Sequence, residues 1–365
     1  MIKMRKTTFS ILLILFISSL ITPIFPMLIS TARNFDRKQS EVSNLNTSAL
    51  TEINTTIIID DLPGSPLNWT WAKDQGYCTG LGTAANPYVI SGKFFNTSLA
   101  GYNSLTIIDS RKHFIVRNCE FKGHSQFAGI ELANTTNGVI TGNMMHPNTG
   151  ALVWVYNSSA NVIRSNNASY GSYYGVLIDS AGGISRDNVV TDNVIAHNYE
   201  AGVQIRIGSI FNTISDNNFS NNTLGIDVNA YVTNNTIRGN VIRNSYLSGV
   251  LLNTLSEYNY IYENCFITNS LHAIDNGLKN FWDNGAKGNY WDNYTGSDAN
   301  NDGIGDIPYN ITGGAGSQDL FPLMNCPAPS TPSGIPGYSL FIVFIVGIAS
   351  IIGIIVIRKK KILNA

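Results

Sequence analysis

The 365-residue sequence is poor in charge, with 13% of its residues Asp, Glu, Lys or Arg, about half the share of an ordinary globular protein. Its net charge is −1, which excludes the basic footprint that nucleic-acid binding requires. Histidine is scarce: His113, His124, His146, His197 and His272 are all there are. Long apolar runs are confined to the two ends. Between them, apolar residues come in short period-two runs instead of at helical spacing, which excludes a helix-pair repeat.

What the sequence has in abundance is asparagine, and it recurs. "NVIRSN" begins at Asn161, "NVVTDN" at Asn188, "NTISDN" at Asn212, "NTIRGN" at Asn235 and "NYIYEN" at Asn259, with steps of 27, 24, 23 and 24 residues. A small residue then opens an alternating run: "GIELA" at Gly129, "GALVWV" at Gly150, "GVLI" at Gly175, "GVQI" at Gly202, "GIDV" at Gly225 and "GVLL" at Gly249, with "AIDN" at Ala273 as a worn copy. One turn of a parallel β-helix fits this period, its alternate aliphatics pointing into a narrow core and successive rungs rising about 4.8 Å. Asparagine suits the corners, because it tolerates the left-handed conformation and its amide can bond the backbone or the Asn one rung away.

The ends set the compartment. Lys3, Arg5 and Lys6 precede an apolar run that closes on Ser30 and Ala32, so residues 1–32 read as a secretory signal, with an uncleaved amino-terminal anchor as the alternative. Residues 33–55 are a polar lead-in, 56–325 the β-helix domain (opening cap 56–112, coils 113–284, closing segment 285–325) and 326–337 a Pro-rich linker. The apolar stretch 338–357 is long enough to span a membrane. The basic residues Arg358, Lys359, Lys360 and Lys361 stay cytoplasmic, leaving the repeat domain outside. Twelve Asn-x-Ser/Thr sequons, from Asn46 to Asn310, fit an exported chain. Of the four cysteines, Cys119 and Cys265 follow an anchor Asn six coils apart, roughly 29 Å at the rung spacing and too far to bridge. Cys78 with Cys119, Cys265 with Cys326, and four free thiols stay open.

Two unrepeated segments sharpen the identification. "GTAANPYVISG" at Gly82 and "GNYWDNYTGSDANNDGIGDIPYNI" at Gly288 resemble the opening and closing segments of archaeal surface members of the NosD-type, periplasmic copper-binding β-helix family. That family is related to the carbohydrate-binding and sugar-hydrolase repeat domains of pectin-lyase-like folds. The resemblance covers about residues 56–325 and implies an all-β, right-handed, three-sheet parallel β-helix of about eight or nine coils, followed here by a carboxyl-terminal transmembrane helix. The hand agrees with the rule for parallel crossovers. A copper site is not supported by the histidines, which fall at different places in their coils; Met144, Met145 and His146 are the one soft-ligand cluster.

Three sets of candidate residues follow. In the closing segment Asp298, Asn300, Asp302, Ile304 through its carbonyl, and Asp306 have calcium-loop spacing around Gly303, although Tyr309 stands where an EF-hand has Glu. Trp291, Tyr290 and Tyr294 are expected to plug the open end of the core. Counting from each small residue places Glu131, Gln204, Asp227 and Asp275 in one outward, solvent-facing column and Trp154, Asp179, Arg206, Asn229 and Asn253 in the next. Trp154, Asp179, Arg206 and Asn229 are the glycan-binding candidates. Asp227 and Asp275, about 9.6 Å apart at the backbone, border the carboxylate separation of about 6.5–9.5 Å of inverting glycosidases. The expected function is therefore a noncatalytic surface module for glycans or envelope proteins, with no nucleic-acid partner. The alternatives are a polysaccharide-acting hydrolase or lyase, and a copper-handling accessory protein.

Overall fold

A computed structural model describes residues 50–180 and 182–327. The signal segment, most of the lead-in, the linker from residue 328 on, the apolar stretch 338–357 and the basic tail lie outside the described residues. Among the described residues no helix is long and apolar enough to cross a membrane.

The chain winds into coils with three faces. One face is a nine-stranded sheet running from Ile57–Asp60 to Ala273–Asp275. The second is an eight-stranded sheet from Tyr88–Ser91 to Tyr260–Tyr262, which makes about eight full turns. The third is interrupted: a four-stranded and a five-stranded sheet meet at Asn167, which bridges Met144 on one side and Val194 on the other. Pairing from coil to coil is parallel throughout these sheets, as in Val176 against Val153 and Val203. Thr51–Ile53, assigned to the lead-in from sequence, already pairs with Lys93–Phe95 and starts the third face.

Period-two alternation explains the core. Ile130, Val153, Val176, Val203, Ile226 and Val250 stack as one inward column of the nine-stranded sheet, and each is fully buried. Leu132, Val155, Ile178, Ile205, Val228 and Leu252 form the second. Each such side chain contributes about 1.5–3 kcal/mol by leaving water. Aromatics stack at the rung spacing on the third face, with Phe95 4.8 Å from Phe121 and Phe266 4.4 Å from Trp291.

The repeated asparagines do one of the two jobs expected of them. None of the five that open the quoted repeats has a positive φ; the left-handed corner belongs to the residue before, as at Ala160, Asp187, Phe211, Asn234 and Tyr258. The asparagines themselves are buried and form ladders. One runs Asn161, Asn188, Asn212, Asn235, Asn259, Asn280. The other runs Asn143, Asn166, Asn193, Asn217, Asn240, Asn264, Asn289. At each rung, as at Asn217, Oδ1 accepts both the backbone N–H and the amide of the previous Asn, at 3.0 Å each. Its Nδ2 donates to Asn240 Oδ1 at 3.0 Å and to the carbonyls of Val190 and Ser215. Cys119 donates its backbone N–H to Asn143 Oδ1 and so stands at the head of this ladder, level with Asn264 and not, as the repeat count implies, with Cys265.

Every ladder bond points the same way, so the last Asn needs an acceptor beyond it. Both ladders end on a buried carboxylate. Asn280 donates to Asp275 Oδ1 at 3.1 Å, and the backbone N–H of Asn289 donates to Asp319 Oδ2 at 2.7 Å. Asp275 also accepts from Trp282 Nε1 at 2.9 Å and Ser317 Oγ at 2.8 Å; Asp319 also accepts from Trp291 Nε1 at 2.9 Å. A disulfide, Cys265–Cys326, ties the closing segment to the last coils, while Cys78 and Cys119 are buried free thiols. Of the aromatics expected to plug this end, Trp291 and Tyr294 pack on the core, joined by Trp282 and Tyr309, whereas Tyr290 alternates with Trp291 on its strand and stays outside the cluster. At the opposite end the short helix Trp69–Asp74, capped by Asn68, lays Trp69 flat on Tyr88 at 4.6 Å.

Two outcomes test this account. Asn217→Ala strands the donors of Asn193 and the carbonyls of Val190 and Ser215 inside the core. It should cost roughly 2–4 kcal/mol in denaturant unfolding, whereas exposed-corner substitutions should cost far less. Burial pushes the Asp319 carboxyl up from 3.8 to about 6. A raised folded value means that its contribution to stability is complete below the unfolded value of 3.8 and is lost as pH rises through about 6. The melting temperature of Asp319→Asn, compared with the parent across about pH 4 to 7, should lack that decline.

Candidate functional site

The outer face of the nine-stranded sheet gathers the chemistry. Register places Glu131, Trp154, Leu177, Gln204, Asp227 and Leu251 on consecutive rungs of one outward column. Tyr156 pairs with Asp179 in the adjacent column, which Arg206, Asn229 and Asn253 continue. Two placements differ from the sequence count. Trp154 shares the column of Glu131, Gln204 and Asp227, because the strand Ala151–Tyr156 aligns Ala151 with Ala128 and makes Leu152, not Gly150, the partner of the Gly129 position. Asp275 is not outward at all: Ile274 pairs with Leu251, so Asp275 follows Leu252 into the core and is 1% exposed. That coil is one residue shorter, and a one-residue slip turns a side chain to the opposite face. The pair Asp227 and Asp275 therefore shares no surface.

Both columns are also less solvated than expected, with Asp179 and Gln204 each 7% and Asp227 6% exposed. They are held in one network. Arg206 Nη1 faces Asp179 Oδ2 at 3.3 Å, its Nε donates to Gln204 Oε1 at 2.6 Å, and its Nη2 donates to Tyr174 Oη at 3.0 Å. Gln204 Nε2 donates to Asp227 Oδ2 at 2.7 Å, and Asn253 Nδ2 to Asp227 Oδ1 at 2.8 Å. Tyr174 Oη in turn donates to Glu200 Oε2, and the guanidinium lies 5.5 Å over the Tyr174 ring. Asn253 Nδ2 also reaches Asn229 Oδ1 at 3.4 Å. Two rungs away, Glu131 accepts from Asn103 Nδ2 at 2.7 Å and Thr106 Oγ1 at 3.3 Å. Burial raises the carboxyls of Glu131 and Asp227 above the usual range, against the lowering effect of these bonds. Burial also raises the Tyr174 hydroxyl to about 12, so it is a neutral donor here.

Beside the network lies an apolar patch on the outside of the sheet. Ala128, Ala151, Tyr174, Leu177 and Ala201 form a cluster separate from the core, with Trp154, Tyr173 and Leu224 packed on it. Trp154 meets Tyr156 edge-on at 5.8 Å, and its Nε1 is a buried donor with no acceptor among the described residues. Sequence reasoning missed Tyr174, Leu177 and Glu200. Counting from the second Asn of each repeat would have aligned Trp154 with Leu177 and Gln204, which lie 11 residues after Asn143, Asn166 and Asn193, although Asp227 lies 10 after Asn217.

The other candidates are not brought to this face. Met144 and His146 point out of their strand while Met145 is buried between them, so the three sulfur and nitrogen donors do not converge; His146 pairs with Glu120 at 2.8 Å. In the closing segment Asp298 turns both carboxylate oxygens onto backbone N–H groups, those of Asp302 at 3.1 Å and Gly303 at 2.9 Å. Asp302 accepts from Ile304 N and Asn300 Nδ2, and Asp306 from Ala299 N and Ser297 Oγ. Among the described residues no three His, Cys, Asp or Glu side chains gather to hold a metal.

No curated protein matches the chain significantly in sequence. Among solved structures it is similar to DFA-IIIase from Arthrobacter chlorophenolicus in complex with DFA-III, at 13% identity over 53% of this chain and 50% of that one, with a TM-score of 0.38. It is also similar to a mutant of the periplasmic alginate epimerase AlgG, at 16% identity over 47% and 58% of the two chains, with a TM-score of 0.33. The chain thus spans little more than half the length of these neighbours. Residues 89–242 match the family described as right handed beta helix region, and with its parallel three-faced coils the described domain is a right-handed parallel β-helix.

Proposed function

We propose that this protein is a noncatalytic glycan-interaction module, carried at the outer face of a cell membrane by its carboxyl-terminal apolar stretch. The observation that carries the reading is the exterior cluster around Trp154, whose buried indole N–H lacks an acceptor among the described residues, set beside a fixed row of polar groups. A sugar ring offers what such a surface takes: an apolar face for the aromatic and aliphatic side chains, and hydroxyls for the indole N–H and the carboxylates. Small-molecule sites commonly combine an apolar lining with a few placed polar groups in this way.

The arrangement favours binding over turnover. Each acid of the face is already engaged: Asp179 by Arg206, Glu200 by Tyr174, Asp227 by Gln204 and Asn253, Glu131 by Asn103 and Thr106. The partner acid an inverting hydrolase would need, Asp275, is committed inside the closing end.

On a glycan array the full chain in detergent should show specific binding, and Trp154→Ala or Arg206→Ala should weaken it by about tenfold or more, equivalent to about 1.4 kcal/mol. Release of shortened product, abolished in Asp227→Asn, would instead make the protein a polysaccharide-acting enzyme. Anchorage has its own test: deletion of residues 338–365 should release the protein into the medium, and a variant that stays with the membrane would assign the anchor to the amino-terminal segment.

A further inference from the structure

Resting on the glycan reading, we infer that the chain recognised by this face carries positive charge: a sugar polymer with free amines rather than a polyuronate. The outer face from the strand Ala128–Ala133 to the strand Ser248–Leu252 carries Glu131, Asp179, Glu200 and Asp227 against one cation, Arg206. Arg206 is spent on its neighbours, since it pairs with Asp179 and donates to Gln204 and Tyr174. Among the described residues three carboxylates are therefore left without an ion pair, although Arg206 also attracts Asp227 from a distance, and all three are held by neutral donors. Asn103 and Thr106 hold Glu131, Tyr174 holds Glu200, and Gln204 with Asn253 holds Asp227.

Neutral donors fix the direction of a carboxylate but do not cancel its charge. Asp227 is 6% exposed, and a charge withdrawn from water is costly unless it gains a partner of opposite sign. A ligand ammonium would supply that partner at each of these positions. A uronate would bring like charge against them, within the screening length of about 8 Å at physiological salt.

Geometry sets the size of the ligand. Glu131 and Asp227 are separated by four rung steps, through Trp154, Leu177 and Gln204, about 19 Å along the axis. The apolar cluster of Trp154, Tyr174 and Leu177 lies between them. An extended oligosaccharide therefore crosses the cluster and meets a carboxylate on either side of it, which a single sugar cannot do.

The test is calorimetric titration of the full chain in detergent with three sets of oligomers of equal length: glucosamine, N-acetylglucosamine and galacturonate. The glucosamine oligomer should bind at least about tenfold more tightly than its acetylated form, as a charge-assisted contact requires, and the galacturonate oligomer should not bind. The preference should shrink in Asp227→Asn and in Glu131→Gln, and in high salt, while Trp154→Ala weakens both amino-sugar forms alike. Equal binding of the amine and acetylated oligomers would overturn the charge inference and leave the glycan reading standing. Preference for the uronate would overturn it with the opposite sign. Failure of all three oligomers would sink both.

Discussion

The buried amide ladder is the constraint on which the other features of this molecule depend. A side-chain amide has two acceptor sites and two donor hydrogens. Each interior ladder Asn uses its oxygen for the Asn of the previous coil and its nitrogen for the Asn of the next coil and for a backbone carbonyl of the previous coil, as Asn217 does with Asn193, Asn240 and Val190. That pattern answers the question every coil corner raises, because a chain that turns sharply inside a protein leaves backbone groups that must be paired. The side chain bonds across coils where the strand ladder stops, so adjacent corners are locked in register along with the strands on either side. The conformational demand of the corner is passed to the preceding residue, which adopts the left-handed region whether it is Asp, Ala, Phe or Tyr. A non-glycine residue pays about 1–2 kcal/mol for this, and most coils contain several such residues, as at Asp187, Asp192 and His197, so the ladder and the aliphatic columns must outweigh all of them.

A one-way ladder also dictates its ends. At the head, acceptors are satisfied by backbone N–H groups such as those of Cys119 and Gly138. At the tail, donors remain, and a carboxylate, which is acceptor-only when ionised, is the fitting terminus. Asp275 and Asp319 fill that place, each also taking an indole N–H from the tryptophan that closes the core. The closing segment is thus part of the hydrogen-bonding scheme of the coils, and the Cys265–Cys326 disulfide holds it there. The same logic removes Asp275 from any surface chemistry.

The candidate site follows from what the coils leave unused. Inward positions are occupied by aliphatics and corners by ladders, so variety is confined to outward positions. On the nine-stranded sheet these collect a large aromatic, the amides of Gln204, Asn229 and Asn253, the Tyr174 hydroxyl and four acids within a few rungs. Because rungs repeat at about 4.8 Å, side chains of this length reach across to one another, and they have closed into a network instead of standing free in water. The face is therefore preorganised, which lowers the ordering cost of binding, and three of its four acids are held by neutral donors.

Much of this was legible in the amino-acid sequence. The 23- to 27-residue steps, the alternating runs and the recurring asparagines specify a parallel β-helix, since period and alternation are local properties of the chain. The aromatic plug at the closing end and the impossibility of a Cys119–Cys265 bridge followed from the same pattern. What the sequence alone did not decide was which outward residues share a column. Trp154 moved by two positions and Asp275 crossed from the surface to the core, because coils differ in length by a few residues and the side-chain period is two. Tyr174 and Glu200 entered the site for a related reason: their contact spans one full coil, 26 residues apart. Only the tertiary register, set coil by coil through the ladders, determines which distant side chains meet.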